Sequence, residues 1–338
     1  MTRDADRAWL APLGAVYGAA AAVRAWLYRR GVLPRTRLAG AVVSVGNLSV
    51  GGAGKTPVVE WLARALSEAG HPVSILSRGY RGSFRGEALL VGDGERVLAR
   101  AAEAGDEPVM LARALPGVVV AVGPRRDAVG RFVESRFGPR VHVLDDGFQH
   151  LRLERDLDVA CLDASSRRPL PAGRLRERPS ALARADVVLL ADDAPPPTAL
   201  DPGRVFRMRR RVEGFLARDG SSRAAPRRPF LLAGIARPER FEADARSRSP
   251  EVVGSLFFPD HHAYAPDELR AALARARSLG ADALVTTAKD EVRLPEVASD
   301  LPLLVLRISA EIEEEARFRD VVLARVRERF GSAAGGRR

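Results

Sequence analysis

Eight consecutive residues carry the clearest chemistry in this chain: Ser49, Val50, Gly51, Gly52, Ala53, Gly54, Lys55 and Thr56. Glycines at this density let backbone amides turn inward around an anion, and a helix opening directly after them adds the positive end of its dipole. In that arrangement Lys55 reaches the β- and γ-phosphates of a nucleotide, and the Thr56 hydroxyl is placed to hold Mg²⁺. The strict pattern asks for Gly at position 49, where this chain has Ser. The order of strand, loop and helix is nevertheless the one the motif needs. Pro57 suits the first turn of the helix, where its missing N–H is not required.

Further groups of matching chemistry follow. Asp145 and Asp146 open the run DDGFQH at the end of an apolar stretch. Acids at a strand's carboxyl end, downstream of a phosphate loop, are the usual second Mg²⁺ anchor. Gly105-Asp106-Glu107-Pro108 reads either as a plain helix start or as a carboxylate that accepts the proton of a substrate hydroxyl. Pro259-Asp260-His261-His262 has two adjacent histidines that point different ways and so rarely share a metal. It reads either as a turn or as a histidine that orients a catalytic carboxylate across a cleft. Two loops, 77–82 with Arg78 and Arg81, and 173–177 with Arg174 and Arg176, offer planar forks suited to phosphate. Thr286-Thr287-Ala288-Lys289-Asp290 holds a further lysine, to which the sequence assigns no clear role.

These motifs need a scaffold, and the pattern between them supplies one. Strand-like runs at 41–45, 73–76, 118–122, 141–144, 157–162 and 187–191 alternate with helix-like runs at 57–69, 107–115 and 125–137. Short apolar runs joined by helices predict a parallel sheet with helices on both faces, and ligands of such sheets sit at the carboxyl ends of the strands. The proline-rich stretch 192–202 marks a boundary. Beyond it, runs at 229–233, 252–258, 283–287 and 303–308, with helices near 267–279 and from about residue 311, form a smaller α/β unit. The charged run 205–212 is suited to pair with 303–308 as a two-stranded connector. The division is therefore 1–30, 31–200 and 201–330, with a disordered tail at 331–338.

Residues 1–30 differ from the rest. Trp9, Leu13, Val16, Ala20, Val23 and Leu27 recur at helical spacing, Ala8 to Val23 carries no charge, and Arg3, Arg7, Arg24, Arg29 and Arg30 flank the stretch. A spanning helix needs about 20 apolar residues, so the pattern fits a helix lying in the membrane interface. The alternative is a helix docked on the protein's own core.

Composition narrows the partners. The chain has 338 residues, 46% hydrophobic and 29% charged, enough for two domains. Of 54 Lys+Arg only Lys55 and Lys289 are lysine, and the net charge is +11. Where arginine is the general cation, a retained lysine marks a place for a compact ammonium. The excess charge favours nucleotides and acidic lipids. The arginines are scattered, with neither a recognition-helix pattern nor an aromatic stacking signature, so nucleic acid is not expected as a partner; a monomer is. A lone cysteine, Cys161, rules out a disulfide within the chain and a thiolate metal site.

Taken in order, the motifs resemble the tetraacyldisaccharide 4'-kinase family. The matching segments are 45–57 (VGNLSVGGAGKTP), 77–82 (SRGYRG), 105–108 (GDEP), 145–150 (DDGFQH), 173–177 (GRLRE), 259–262 (PDHH) and 286–294 (TTAKDEVRL). The resemblance implies transfer of the γ-phosphoryl group of ATP, with Mg²⁺, to the 4'-hydroxyl of a tetraacylated disaccharide 1-phosphate. The product is the 1,4'-bisphosphate precursor of lipid A. It also implies a P-loop NTPase-type, mostly parallel α/β domain joined by a two-stranded linker to a smaller α/β domain. The N-terminal helix would dip into an anionic membrane surface, the cytoplasmic face of the inner membrane. Carried over residue by residue, Lys55 and Thr56 match the phosphate and Mg²⁺ positions, Asp145 and Asp146 the metal-binding acids, Asp106 the base and His261 its partner. Arg78, Arg81, Gln149, His150, Arg174, Arg176 and Glu177 are expected on the lipid substrate.

A membrane-surface partitioning or regulatory P-loop ATPase is the alternative. Such proteins usually carry a second lysine just before the paired glycines, where this chain has Val50. A non-catalytic nucleotide-binding scaffold would not need Asp106 and the Asp145–Asp146 pair beside the loop.

Overall fold

The computed structural model describes residues 9–51, 54–163, 168–191, 194–195 and 200–335, with side chains through 330. Gly52 and Ala53, Arg3 and Arg7, most of the proline-rich stretch and residues 336–338 lie outside the described residues.

The helix α1 (Ala11–Arg29) precedes β1 (Val42–Asn47), α2 (Lys55–Glu68), β2 (Val73–Ser77), β3 (Leu89–Gly92), α3 (Ala101–Ala104), α4 (Asp106–Ala114), β4 (Val119–Val122), α5 (Arg126–Phe137), β5 (Val141–Asp145), β6 (Leu157–Leu162) and β7 (Val187–Ala191). The second half comprises β8 (Val205–Ala217), β9 (Ser222–Arg223), β10 (Pro229–Ala233), α6 (Pro238–Arg246), β11 (Gly254–Phe257), α7 (Pro266–Ser278), β12 (Ala283–Thr287), α8 (Ala288–Glu291), β13 (Leu303–Ile312) and α9 (Glu315–Gly335). β1, β2, β4 and β5 are buried at every position. That is why they read as unbroken apolar runs: helices cover both faces of a parallel sheet.

The strands form one sheet in the order β11-β10-β12-β13-β8-β7-β6-β1-β5-β2-β4-β3, with β9 attached to β8. β5 lies parallel beside β1 with Val45 opposite Asp145, so the glycine-rich loop and the acidic turn emerge side by side. β8 pairs in parallel with β7 over Val205–Met208 and antiparallel with β13 from Met208↔Ile312 to Ala217↔Leu304. The two-stranded connector expected from sequence is present and the sheet continues through it, but the pairing is shifted: 205–208 lie against β7, and 304–308 pair with 212–217 rather than with 205–212, because β8 runs on to Ala217.

Three further features depart from the sequence reading. β3, an antiparallel edge strand on β4 with a register shift, and α6, which buries only Phe241 and Ala245, carry too few apolar residues to show a period. The last helix starts at Glu315 rather than near 311, because β13 remains paired with β8 through Ile312. It runs on to Gly335, into the segment expected as a disordered tail. It also leaves the second unit: Phe318, Val322 and Val326 join the core under α2, with the rings of Trp61 and Phe318 5.0 Å apart. β13 carries the chain back along the connector, so whatever follows it lands on the first unit.

α1 meets the body through Gly14 and Gly18, and Arg178 Nη2 donates to the Ala15 carbonyl at 2.9 Å. The apolar side chains face out: Trp9, Leu13, Val16, Val23 and Trp26 are all exposed, Val16 at 68%. A helix docked by its apolar stripe would show the opposite. Among the described residues no helix is long and apolar enough to cross a membrane.

Candidate active site

The phosphate loop is shaped from β1 outward. β1 ends on Asn47, whose buried side chain accepts from Lys55 Nζ at 3.0 Å through Oδ1 and donates through Nδ2 to the Gly51 carbonyl at 3.4 Å. Gly51 sits at φ +122°, a region that only glycine enters at low cost. A Cβ there would stand 2.2 Å from Arg174 Nη2. α2 begins behind Gly54, which has no side chain with which to cap it, so its first amides are open to an anion.

The acidic turn packs against this loop because Gly46 permits it: a Cβ on Gly46 would lie 2.6 Å from the Phe148 amide nitrogen. Asp145 Oδ2 accepts from Ser77 Oγ at 2.9 Å, while its Oδ1 is buried without a hydrogen-bond partner. Burial, together with the charges of Glu107 and Asp146, pushes the Asp145 carboxyl up to about 7. Asp146, at φ +53°, lies 3.3 Å from Lys55 Nζ and 2.7 Å from Arg176 Nη1. Burial opposes its ionisation, but these two cations outweigh it and hold the carboxyl below its usual range.

Asp106 opens α4, where the helix dipole favours a carboxylate. It is 10% exposed, and its Oδ2 lies 2.7 Å from His261 Nδ1, the histidine being 14% exposed. Arg293 Nε is 3.5 Å from the same oxygen. His261 comes from the loop after β11, at φ +65°, so this contact joins the two units. Arg81 Nη1 adds a second bridge, donating to the Asp260 carbonyl at 3.2 Å. Among the described residues four non-glycines have positive φ: Arg81, Asp146, His261 and Glu314. Three of them lie here, as expected where backbone strain serves a site.

The residues expected on substrate divide into two groups. Arg78 and Arg81 are exposed on the loop after β2. The others contact neighbouring protein groups, Arg174 while remaining exposed. Arg174 Nε donates to the Val50 carbonyl at 3.0 Å, against the phosphate loop. Arg176 holds Asp146. Gln149 Nε2 donates to the Asn47 carbonyl and to Glu177, each at 3.0 Å. Glu177 is buried and paired with Arg184 at 2.6 Å. His150 lies 3.9 Å from Asp127, and burial, with Arg126 nearby, pulls its imidazole down to about 3, so it is neutral. Burial pushes the Cys161 thiol up to about 12, an inert core group.

Sequence reasoning passed over Glu107 and Arg126. Burial raises the Glu107 carboxyl while Lys289 and Lys55 oppose it, so it lies within electrostatic reach of both lysines and of Asp146. Its signal was its place next to Asp106 in the first turn of α4. Arg126, buried at the start of α5, acts electrostatically on Asp146, Asp145 and Arg176; no local pattern marks it.

The model of the tetraacyldisaccharide-1-P 4'-kinase family matches residues 7–327. The chain belongs to that family. It is 44% identical over 347 aligned residues to the tetraacyldisaccharide 4'-kinase of Anaeromyxobacter dehalogenans strain 2CP-C, covering 93% of this chain and 92% of the relative. With the Geobacter metallireducens enzyme of the same name it shares 42% over 310 residues, covering 88% and 91%. A crystal structure of LpxK from Aquifex aeolicus in complex with ATP superposes with a TM-score of 0.81 at 31% identity, covering 95% of this chain and 99% of that one. The structural match covers both units of the sheet.

Proposed function

We propose that this chain transfers the γ-phosphoryl group of ATP to the 4'-hydroxyl of a tetraacylated disaccharide 1-phosphate, a step of lipid A synthesis. The observation that carries the reading is the Asp106–His261 contact of 2.7 Å, which joins a carboxylate of the nucleotide unit, at the start of α4, to a histidine of the smaller unit. The α2 amides and Lys55 hold the phosphates. Thr56 and the Asp145–Asp146 pair would hold Mg²⁺, and the orphaned buried Oδ1 of Asp145 suits a cation. A Mg²⁺ ion held there would neutralise negative charge on the phosphates of the nucleotide. Among the described residues no three His, Cys, Asp or Glu side chains form a metal cage. Mg²⁺ commonly takes one or two carboxylates and leaves the rest of its shell to phosphate and water.

Asp106 accepts the proton of the 4'-hydroxyl as its oxygen bonds to the γ-phosphorus. The bond from that phosphorus to the β–γ bridging oxygen breaks, and ADP leaves. His261 orients Asp106. Arg78 and Arg81 offer forks to the lipid's phosphate; Arg174, Arg176, Gln149, His150 and Glu177 shape the loop and the acidic turn behind it. Residues 31–200 act as the nucleotide unit and 201–330 as the closing unit, except that α9 returns to the first. Supporting this division, Phe230, Leu232, Leu269 and Leu284 form a cluster of their own.

The test is incubation with γ-labelled ATP, Mg²⁺ and tetraacyldisaccharide 1-phosphate in detergent micelles, with label expected in the lipid. Hydrolysis of ATP without labelled lipid would transfer the reading to a regulatory ATPase.

The outward apolar face of α1, flanked by Arg24, Arg29 and Arg30, supports a protein that lies on an anionic membrane, which is where an acylated substrate resides. Leu13 and Val16 are 58% and 68% exposed, so Leu13→Glu with Val16→Glu spares the fold. Binding of this variant to anionic liposomes in flotation assays should fall by on the order of tenfold or more. Unchanged binding would remove α1 as the anchor.

A further inference from the structure

Lys289, one of two lysines in an arginine-rich chain, has no part in the reading above, and its surroundings are highly ordered. Thr287 caps α8 by accepting from the Asp290 amide. Asp290 accepts from the Gly234 amide and the Tyr264 hydroxyl, each at 2.9 Å, and pairs with Arg293. From this fixed turn Lys289 Nζ reaches His261 Nε2 at 3.2 Å and Asp260 Oδ1 at 3.1 Å. On the other side of the ring, His261 Nδ1 lies 2.7 Å from Asp106 Oδ2.

An ammonium only donates, so the ring nitrogen facing it must accept. A neutral imidazole carries one N–H, which then sits on Nδ1 and points at Asp106. We propose that Lys289 is a positioning residue for phosphoryl transfer: by donating to Nε2 it fixes His261 as the neutral Nδ1–H tautomer. Asp106 then receives a hydrogen bond at Oδ2 while Oδ1 and its negative charge remain for the substrate hydroxyl. This rests on the reading of Asp106 as the base.

The groups facing the ring agree. Asp106 comes from α4, Lys289 from α8, and Asp260, 3.6 Å from Nε2, from the histidine's own loop. Arg293 follows α8 and touches Asp106 rather than the ring. The Tyr80 ring stands edge-on at 6.0 Å from the loop after β2. Burial first, then Lys289, keeps the imidazole below its usual range, against the two carboxylates. The choice of lysine follows from the geometry: one compact nitrogen serves two divergent acceptors, which a planar fork does not.

The experiment uses full-length protein labelled with ¹⁵N at histidine, with the His261 signals assigned by their loss in His261→Gln. The expected wild-type spectrum shows a neutral ring protonated on Nδ1 at pH 7. In Lys289→Met the ring should populate the Nε2–H tautomer and titrate at higher pH, moving the acidic limb of kcat upward. At neutral pH kcat should fall by about tenfold to a hundredfold, as for other outer-shell partners, with KM for ATP unchanged. Added to His261→Gln, Lys289→Met should change kcat by less than about twofold, because its effect runs through the ring. A wild-type ring protonated on Nε2, ring shifts unmoved by Lys289→Met, or additive losses in the double variant would each overturn the proposal. Normal turnover by Asp106→Ala would instead overturn the base assignment, whatever the ring-nitrogen spectrum shows.

Discussion

Lys55→Ala is expected to abolish phosphoryl transfer and to leave the protein folded. The ammonium is the one positive side chain that reaches into the phosphate loop from α2 itself; it rests on Asn47 Oδ1 at 3.0 Å and beside Asp146 at 3.3 Å. The Lys55 side chain is 12% exposed, and a cation already placed in such a partly buried position counts for more against developing charge than one in solution. Loss of such a group costs on the order of 10³-fold or more in kcat. The fold should survive, since Arg176 continues to neutralise Asp146 at 2.7 Å and the α2 core residues Val58, Val59 and Leu62 are untouched. Label transfer to lipid, with thermal unfolding as the control, measures both. Normal turnover by a folded variant would refute the assignment of the loop.

The second large effect is at Asp106. Asp106→Ala should lower kcat on the order of 10²- to 10⁴-fold, the range for a lost general base, while ATP affinity stays close to that of the wild type. The split follows from geometry: Asp106 faces His261 and Arg293, whereas the loop contacts of Lys55 are to Asn47, Gly51 and Asp146. Single-turnover rates set against nucleotide binding by calorimetry separate the two. Equal losses in both would make Asp106 a nucleotide ligand. A drop in KM together with kcat would point to relieved ground-state strain instead.

Much of the machinery was legible because it is local. A phosphate loop works through consecutive amides and the helix that follows them, so residues 49–56 announce it. The acids of the turn are adjacent in the chain, and burial on both faces writes the parallel strands as apolar runs. The connector was visible as a charged run of β period, but its register was not: 304–308 pair with 212–217 instead of with 205–212. Less local features were missed. β3 is too short for a pattern, α9 departs from its unit because β13 returns the chain, and the contacts of Arg174 with Val50 and of Arg176 with Asp146 leave no mark in the sequence.

By itself, the sequence placed a glycine-rich loop with a lysine at a strand–loop–helix junction, two adjacent acids at the end of an apolar run, and an apolar, basic-edged helix near the N-terminus. The tertiary structure alone decided which carboxylate meets which histidine. Asp106 and His261 are 155 residues apart, on two units that the β8–β13 ladder joins into one sheet. It also decided that α1 turns its apolar side outward, that Gln149, Glu177 and Arg184 are linked in one chain of contacts, and that Lys289 stands at His261. Local chemistry is set by neighbours along the chain; partnership between distant side chains depends on sheet order, and periodicity carries no information about that.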